Sequence, residues 1–266
     1  MKRVQQGTVD YKANLQRVGA AISETIALLG QYARHGDWNL VRTAALQDNL
    51  LQKRSSETVI GILKAVKRRV FLDTDTLPSA ETLALAIIAD IPDAAKSQLV
   101  YAYICASDAL VAHTVVGLVR PLVTTAFEPC LTAKDVVTFL SQEATIHPEL
   151  RSWSETLRQR WAGSFMSLLR TVGIVERLPG SRLQAPVMRV EVFTFLLLGL
   201  LESGLSSREA LAHTLWDWYL LSEPSKEVLL VEAQGRGWLY YSCAADIVEL
   251  QPRHASLEEW IHAGLG

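Results

Sequence analysis

The sequence predicts a mainly α protein: a multi-helix bundle with helix-turn-helix-like and winged-helix-like modules and one or two small β-hairpins. Three observations predict it. Apolar residues recur at three- and four-residue spacing along most of the chain, as amphipathic helices require. Proline, glycine and Ser, Thr or Asp caps repeatedly interrupt that pattern. β-prone residues are confined to short stretches, beside turn residues.

Residues 11–34 read as a first helix, with Leu15, Val18, Ile22, Ile26 and Leu29 as its apolar stripe. Asp37 is placed to cap a second helix, Trp38 to Leu46. The polar, basic turn Gln47–Arg54 leads into a third, which Ser55 or Ser56 can cap by accepting from its first amides. There Val59, Leu63, Val66 and Val70 form the stripe, and Lys64, Lys67 and Arg68 lie outside it. The order is helix-turn-helix-like, although the turn exceeds the three or four residues of the compact motif.

Residues 73–78 read as a linker. Segments 79–91, 93–113 and 114–127 follow as apolar helices punctuated by Pro92, Pro121 and Pro129. Thr132 and Asp135 have capping-box spacing and start a helix to about Glu143. Ser152-Trp-Ser-Glu155 has the same spacing and starts a helix to about Val172, with Trp153, Leu157, Trp161, Phe165, Leu168 and Val172 on its core face. Thr156, Gln159, Arg160 and Gly163 lie opposite. Ile174–Leu178 and Ala185–Val190 then read as two strands around the turn Pro179-Gly-Ser-Arg182. Two helices followed by an arginine-tipped hairpin is a winged-helix order. Helices are expected at 191–203, 207–221 and 225–234, then a second hairpin, 237–243 with 246–250, and a closing helix capped by Ser256. The chain is expected to divide into an N-terminal helix-turn-helix-like module, 1–76, an apolar helical core, 77–130, a winged-helix-like module, 131–190, and an acidic C-terminal helical and winged module, 191–266.

The net charge of −2 hides strong segregation. Residues 53–69 carry six basic residues against one acid, and 151–189 carry seven arginines against two glutamates. Residues 70–150 and 190–266 each sum to −7. Localised cationic blocks in an acidic chain concentrate positive potential where a polyanion could bind. The acidic C-terminal module should repel DNA and suits either a protein contact or a purely structural role.

Catalytic chemistry is not visible. P-loop, GxGxxG and HExxH patterns are missing, and the six histidines lack metal-ligand spacing. His113 reads as a core histidine. Cys105, Cys130 and Cys243 show no CxxC spacing and read as buried thiols of a reducing compartment. The N-terminus lacks a signal-peptide core. The most apolar run, Val192 to Leu201, is about half the ~20 residues that cross a bilayer. A soluble cytoplasmic protein is expected, not an enzyme, with no cofactor, metal or membrane partner.

Asp37-Trp38 followed by Asn49-Leu-Leu-Gln-Lys-Arg-Ser-Ser56, with Asp135-Val-Val-Thr-Phe139, His147-Pro-Glu-Leu150, the Ser/Thr-rich helix start at Ser152–Thr156, Leu168-Leu-Arg170 and Gly173-Ile-Val175, resembles the BrxA family of BREX (bacteriophage exclusion) systems. The resemblance covers roughly residues 10–190. It implies a phage-defence component encoded beside a methyltransferase and a phosphatase-like protein, DNA binding, and a fold likened to the helical antitermination protein NusB. It touches Gln52, Lys53, Arg54, Ser55 and Ser56 in the first block and Ser154, Thr156 and Leu157 in the second. It brings no established binding residues.

From the residues themselves, Lys53, Arg54, Lys64, Lys67, Arg68, Arg158, Arg160 and Arg182 are the expected phosphate contacts on double-stranded DNA. Ser56, Thr156 and Gln159 are placed to reach base edges, with Gln52 and Ser55 completing the entry turn. RNA binding and a scaffold that assembles other defence proteins are the alternatives.

Overall fold

The computed structural model describes residues 11–72, 74, 76–177, 179–184, 188–244 and 247–265. They are mainly helical with one two-stranded antiparallel sheet. The chain groups into two units, each built from two distant stretches: Met1–Ala20 with Ile104–Gln184, and Ala21–Tyr103 with Ala185–Gly266.

The first unit opens with α1 (Asn14–Val18). The expected continuous helix 11–34 is broken there. Gly19 takes φ 64° and Ala21 φ 49°, a left-handed turn that glycine makes affordable. The second unit then begins with α2 (Ile22–His35), which ends at Gly36, φ 65°. Asp37 caps α3 (Trp38–Gln47) by accepting from the Asn39 amide at 2.7 Å. The turn to the next helix is ordered by Asn49, whose carbonyl accepts from the Gln52 amide and whose Oδ1 accepts from that of Lys53. Ser55 caps α4 (Ser56–Val70).

Ser79 caps α5 (Ala80–Ile88), which packs on α2. The Tyr32 hydroxyl donates to Glu81 Oε1 at 2.6 Å across that contact. Burial and this neighbour push the Tyr32 phenol up to about 12, while the same hydrogen bond holds the Glu81 carboxyl below its usual range. Within α6 (Asp93–Ser107), Tyr103 is buried and donates to the Pro78 carbonyl at 2.6 Å. The expected helix 93–113 stops short because Asp108 instead caps α7 (Ala109–Thr114), accepting from the Val111 amide.

Back in the first unit, α7 runs through a π-helical turn, Val115–Val119, into α8 (Arg120–Thr125). The Thr132–Asp135 capping box forms as expected and starts α9 (Ala133–Glu143). A single turn, α10 (Pro148–Arg151), precedes α11 (Glu155–Thr171).

The second unit resumes with α12 (Val190–Glu202), whose residues 190–198 are all buried. It is the unit's central helix. The expected helix 207–221 divides into α13 (Ser207–Leu211) and α14 (Leu215–Trp218), which bury Trp216; Tyr219, just beyond, is buried too. Next come α15 (Glu223–Gly235), the hairpin β1 (Leu239–Ala244) and β2 (Ile247–Pro252), and α16 (Leu257–Gly264), capped by Ser256. α13, α15 and α16 pack on α12. Among the described residues no single helix is long and apolar enough to cross a membrane. Cys105 is buried as expected. Cys130 and Cys243 are exposed, because one lies on a short surface bridge and the other on β1.

Two outcomes follow from these contacts. A Cβ at Gly199 of α12 would lie 2.6 Å from Pro78 Cγ and 3.0 Å from its Cδ. A proline ring cannot rotate away, so Gly199→Ala should cost about 1–3 kcal/mol of overpacking, measured as a lower melting temperature. Glu81 is held below its unfolded value. Its contribution is therefore fully present above the ordinary carboxylate range and is lost as pH falls through the folded value. Tyr32→Phe should lose about 1 kcal/mol at neutral pH. Urea titrations should also show its stability falling less steeply than that of the parent protein as the pH is lowered to about 3.

Candidate nucleic-acid interface

The second basic block surrounds α11. Its cap is Ser154, whose Oγ accepts from the Leu157 amide at 3.2 Å. The expected cap Ser152 instead donates its hydroxyl to the Glu149 carbonyl, because α10 occupies the residues before it. Trp161, Phe165 and Leu168 are fully buried, and the Trp161 and Phe165 rings stack at 5.2 Å with 12° between planes. With those side chains inward, Thr156, Gln159, Arg160 and Gly163 face outward and are exposed. Gln159 Nε2 donates to Glu155 Oε1 at 3.1 Å. Arg158 turns the other way: half-buried, it donates through Nη2 to the Leu150 carbonyl at 2.9 Å. It ties α11 to α10 rather than presenting a surface cation.

After Gly173, φ 84°, the chain forms a small β arrangement of three segments. Val175 bridges Leu183, and Arg182 bridges Cys130, both antiparallel. Residues 182–183 are thus central, flanked by 174–176 and 129–131. Backbone bonds from Glu176 to the Arg182 carbonyl, from Leu131 to the Ser181 carbonyl and from Leu183 to the Pro129 carbonyl hold them. The returning segment is therefore 182–184, earlier than the expected 185–190. Residues 185–187 lie outside the described residues, and Val190 already opens α12. Arg182 is exposed and pairs with Glu128 at 3.3 Å. An ion pair this exposed adds little stability, so the guanidinium stays open to exchange partners.

The first block lies on α4, in the other unit. Val59, Leu63, Val66 and Val70 are buried, while Lys64, Lys67 and Arg68 are exposed. Arg69, counted with the cationic run, is only 2% exposed and turns inward. Gln52, Arg54 and Ser56 are exposed in the entry turn. Ser55 is occupied as the helix cap. Lys53 Nζ contacts Glu24 Oε1 at 2.6 Å. Burial pushes the Glu24 carboxyl up, but the lysine more than offsets this and holds it below its usual value. The structure thus gathers Thr156, Gln159, Arg160 and Arg182 in one unit and Arg54, Ser56, Lys64, Lys67 and Arg68 in the other. The first unit holds 12 basic and 8 acidic residues, net +4, and the second 14 and 20, net −6.

One cluster escaped sequence reading. The buried Tyr11 donates its amide to Glu149 Oε1 at 3.2 Å. Its ring lies 4.5 Å from that of His147 and stacks on His113 at 5.5 Å. Glu143 Oε2 meets His113 Nε2 at 2.8 Å and His147 Nε2 at 3.6 Å. Burial, then Glu143 and Glu149, push the Tyr11 phenol up. His113 is satisfied by Glu143 and is about one-third exposed, not a core histidine. The cluster ties the start of the described chain to α7, α9 and α10. The His147-Pro148-Glu149 motif was its signal, without the partner that gives it meaning. No group of three or more His, Cys, Asp or Glu among the described residues could hold a metal ion.

The family model for BrxA matches residues 9–197. This chain belongs to the BrxA family. The matched stretch takes in both basic blocks, the Tyr11 cluster and the three-segment β arrangement. Membership makes the chain a component of a BREX phage-defence system. No curated protein matches the sequence. Among solved structures, the crystal structure of an uncharacterized protein from Magnetospirillum magneticum is similar at 19% identity and a TM-score of 0.62. The alignment covers 79% of this BrxA-family chain and 98% of that one. At that identity the likeness shows the fold alone.

The corrected cap is open to direct measurement. Ser154→Ala should destabilise the protein by about 1 kcal/mol, the usual loss of an N-cap. Ser152→Ala should cost clearly less, and paired urea denaturation curves compare the two.

Proposed function

We propose that this BrxA-family chain is a non-catalytic DNA-binding component of its BREX system, docking α11 in the major groove of double-stranded DNA. The observation that carries the reading is an element order. In the cationic unit, α7–α8 lead to the 129–131 segment, then α9, α10 and α11, then 174–176, a turn and 182–184, with the last segment paired between the other two. That is a winged-helix order, in which the last helix before the hairpin enters the groove and the hairpin turn rests on the backbone. On that helix Thr156 and Gln159 offer hydrogen-bonding groups to base edges, and Arg160 offers a guanidinium to phosphate or guanine. Arg182 adds a phosphate contact in the same unit, and Lys64, Lys67 and Arg68 of α4 offer a separate exposed cationic patch in the other unit. Arg158 and Ser55 drop out of the contact set, since each is engaged internally.

The RNA alternative has only fold analogy behind it, which is a weak warrant for function. Scaffolding is compatible with DNA binding and concerns a different surface.

Fluorescence anisotropy with a labelled duplex across a salt series tests the proposal. Neutralising six or more phosphates predicts affinity falling ~10³-fold or more over a fourfold rise in salt. Combined Thr156→Ala, Gln159→Ala and Arg160→Ala should weaken binding at least about tenfold and lower the salt slope by about one unit. Combined Lys64→Glu, Lys67→Glu and Arg68→Glu should lower the slope further. Binding without salt sensitivity, or an α11 variant that binds like the parent protein, contradicts the reading.

A further inference from the structure

We propose that the outer face of α15 is a docking seam for a helix of another protein, one that carries apolar residues flanked by lysine or arginine. The face stands apart from the DNA reading and lies beyond the stretch matched by the family model.

Two sides of α15 are apolar. Leu229, Leu230 and Ala233 are buried on the inner side, with the aliphatic stem of Lys226 beside them, where the helix packs on α12. Pro224, Val228, Val231 and Gly235 lie on the opposite side at spacings of four, three and four residues, and all are exposed. Val228 is 67% exposed and Val231 55%. The core of the unit is complete without them. An apolar stripe at this spacing is the seam that helix-to-helix packing uses, with small residues at its ends allowing close approach. Burying a valine fully contributes about 1.5 kcal/mol or more.

Charge selects the occupant. Glu227 borders the seam on one side and Glu232 on the other. Glu232 accepts from Arg236 at 2.7 Å, and Glu223 contacts the buried Lys226 at 2.6 Å. Gln234 Oε1 accepts from the Tyr241 amide, so β1 borders the Glu227 side. The stretch Ala185–Gly266 carries five basic and eleven acidic residues. A second copy docked seam to seam would set these glutamates against their own kind, which costs affinity and blocks that pairing. Arg236 offsets Glu232 on one border, so the charge preference rests on Glu227 at the other, and a basic amphipathic helix complements the stripe and that border.

The test uses the full chain and two fluorescein-labelled synthetic helices with leucine at the seam positions. One has lysine at the flanking positions and the other glutamate. Anisotropy should show the lysine peptide binding at least tenfold more tightly than the glutamate peptide. Val228→Asp with Val231→Asp should weaken that binding at least tenfold while leaving the circular dichroism spectrum unchanged. Glu227→Lys should narrow the preference between peptides. Equal binding of the lysine peptide by the parent and the double-aspartate variant would mean general charge attraction and overturn the proposal. So would sedimentation showing a dimer that the double-aspartate substitution dissolves, since the seam would then serve a second copy.

Discussion

The rotation of α11 about its own axis is the constraint on which the candidate DNA surface depends. Trp161 and Phe165, stacked and fully buried, leave the helix one orientation in its unit. Burying a large aromatic side chain contributes about 2–3 kcal/mol, and turning these two outward would forfeit it and expose a cavity. The polar stripe of Thr156, Gln159, Arg160 and Gly163 is therefore presented outward by packing alone. The Ser154 cap fixes where the helix begins, and the Arg158–Leu150 bond fixes its entry angle from α10. The three paired β segments hold Arg182 within the same unit.

The chain builds each unit from two separated stretches and sorts charge as it does so. The unit that contains α11 is net positive, and the other is net negative. A whole-chain net charge of −2 conceals this. Opposite signs suit a division of labour: a cationic body for a polyanion, and an acidic body with an apolar seam for a basic protein helix. The α4 block, cationic within the acidic unit, is a local exception, and its exposed lysines offset the surrounding charge only over about a Debye length. BrxA-family membership supplies the setting of phage defence.

Much of this was legible in the sequence, for identifiable reasons. The stripe from Trp153 through Trp161 to Val172 and the Thr132–Asp135 box are local patterns, and local patterns survive folding. The hairpin of β1 and β2 was visible as two short β-prone runs one after the other. What failed was either non-local or directional. The stripe from Leu15 to Leu29 continues in phase through Gly19, so periodicity alone could not show that the chain changes units there. The return segment 182–184 is too short to signal itself and depends on pairing with residues 129–131, some fifty positions away. Counting charges could not show that Arg69 points inward or that Arg158 is tied to a carbonyl. Nor could it show that Tyr11 completes the His147-Pro148-Glu149 motif. In each case a tertiary partner decided the outcome.

The most direct measurement of the central claim is site-specific photo-crosslinking to duplex DNA from a photoreactive group placed in turn at Gln159, at Lys67 and at Val231. The account predicts crosslinks to bases from Gln159, crosslinks from Lys67, and none from Val231 on the acidic α15 face. Duplex that is bound by the protein yet captured from Val231 and not from Gln159 would contradict it.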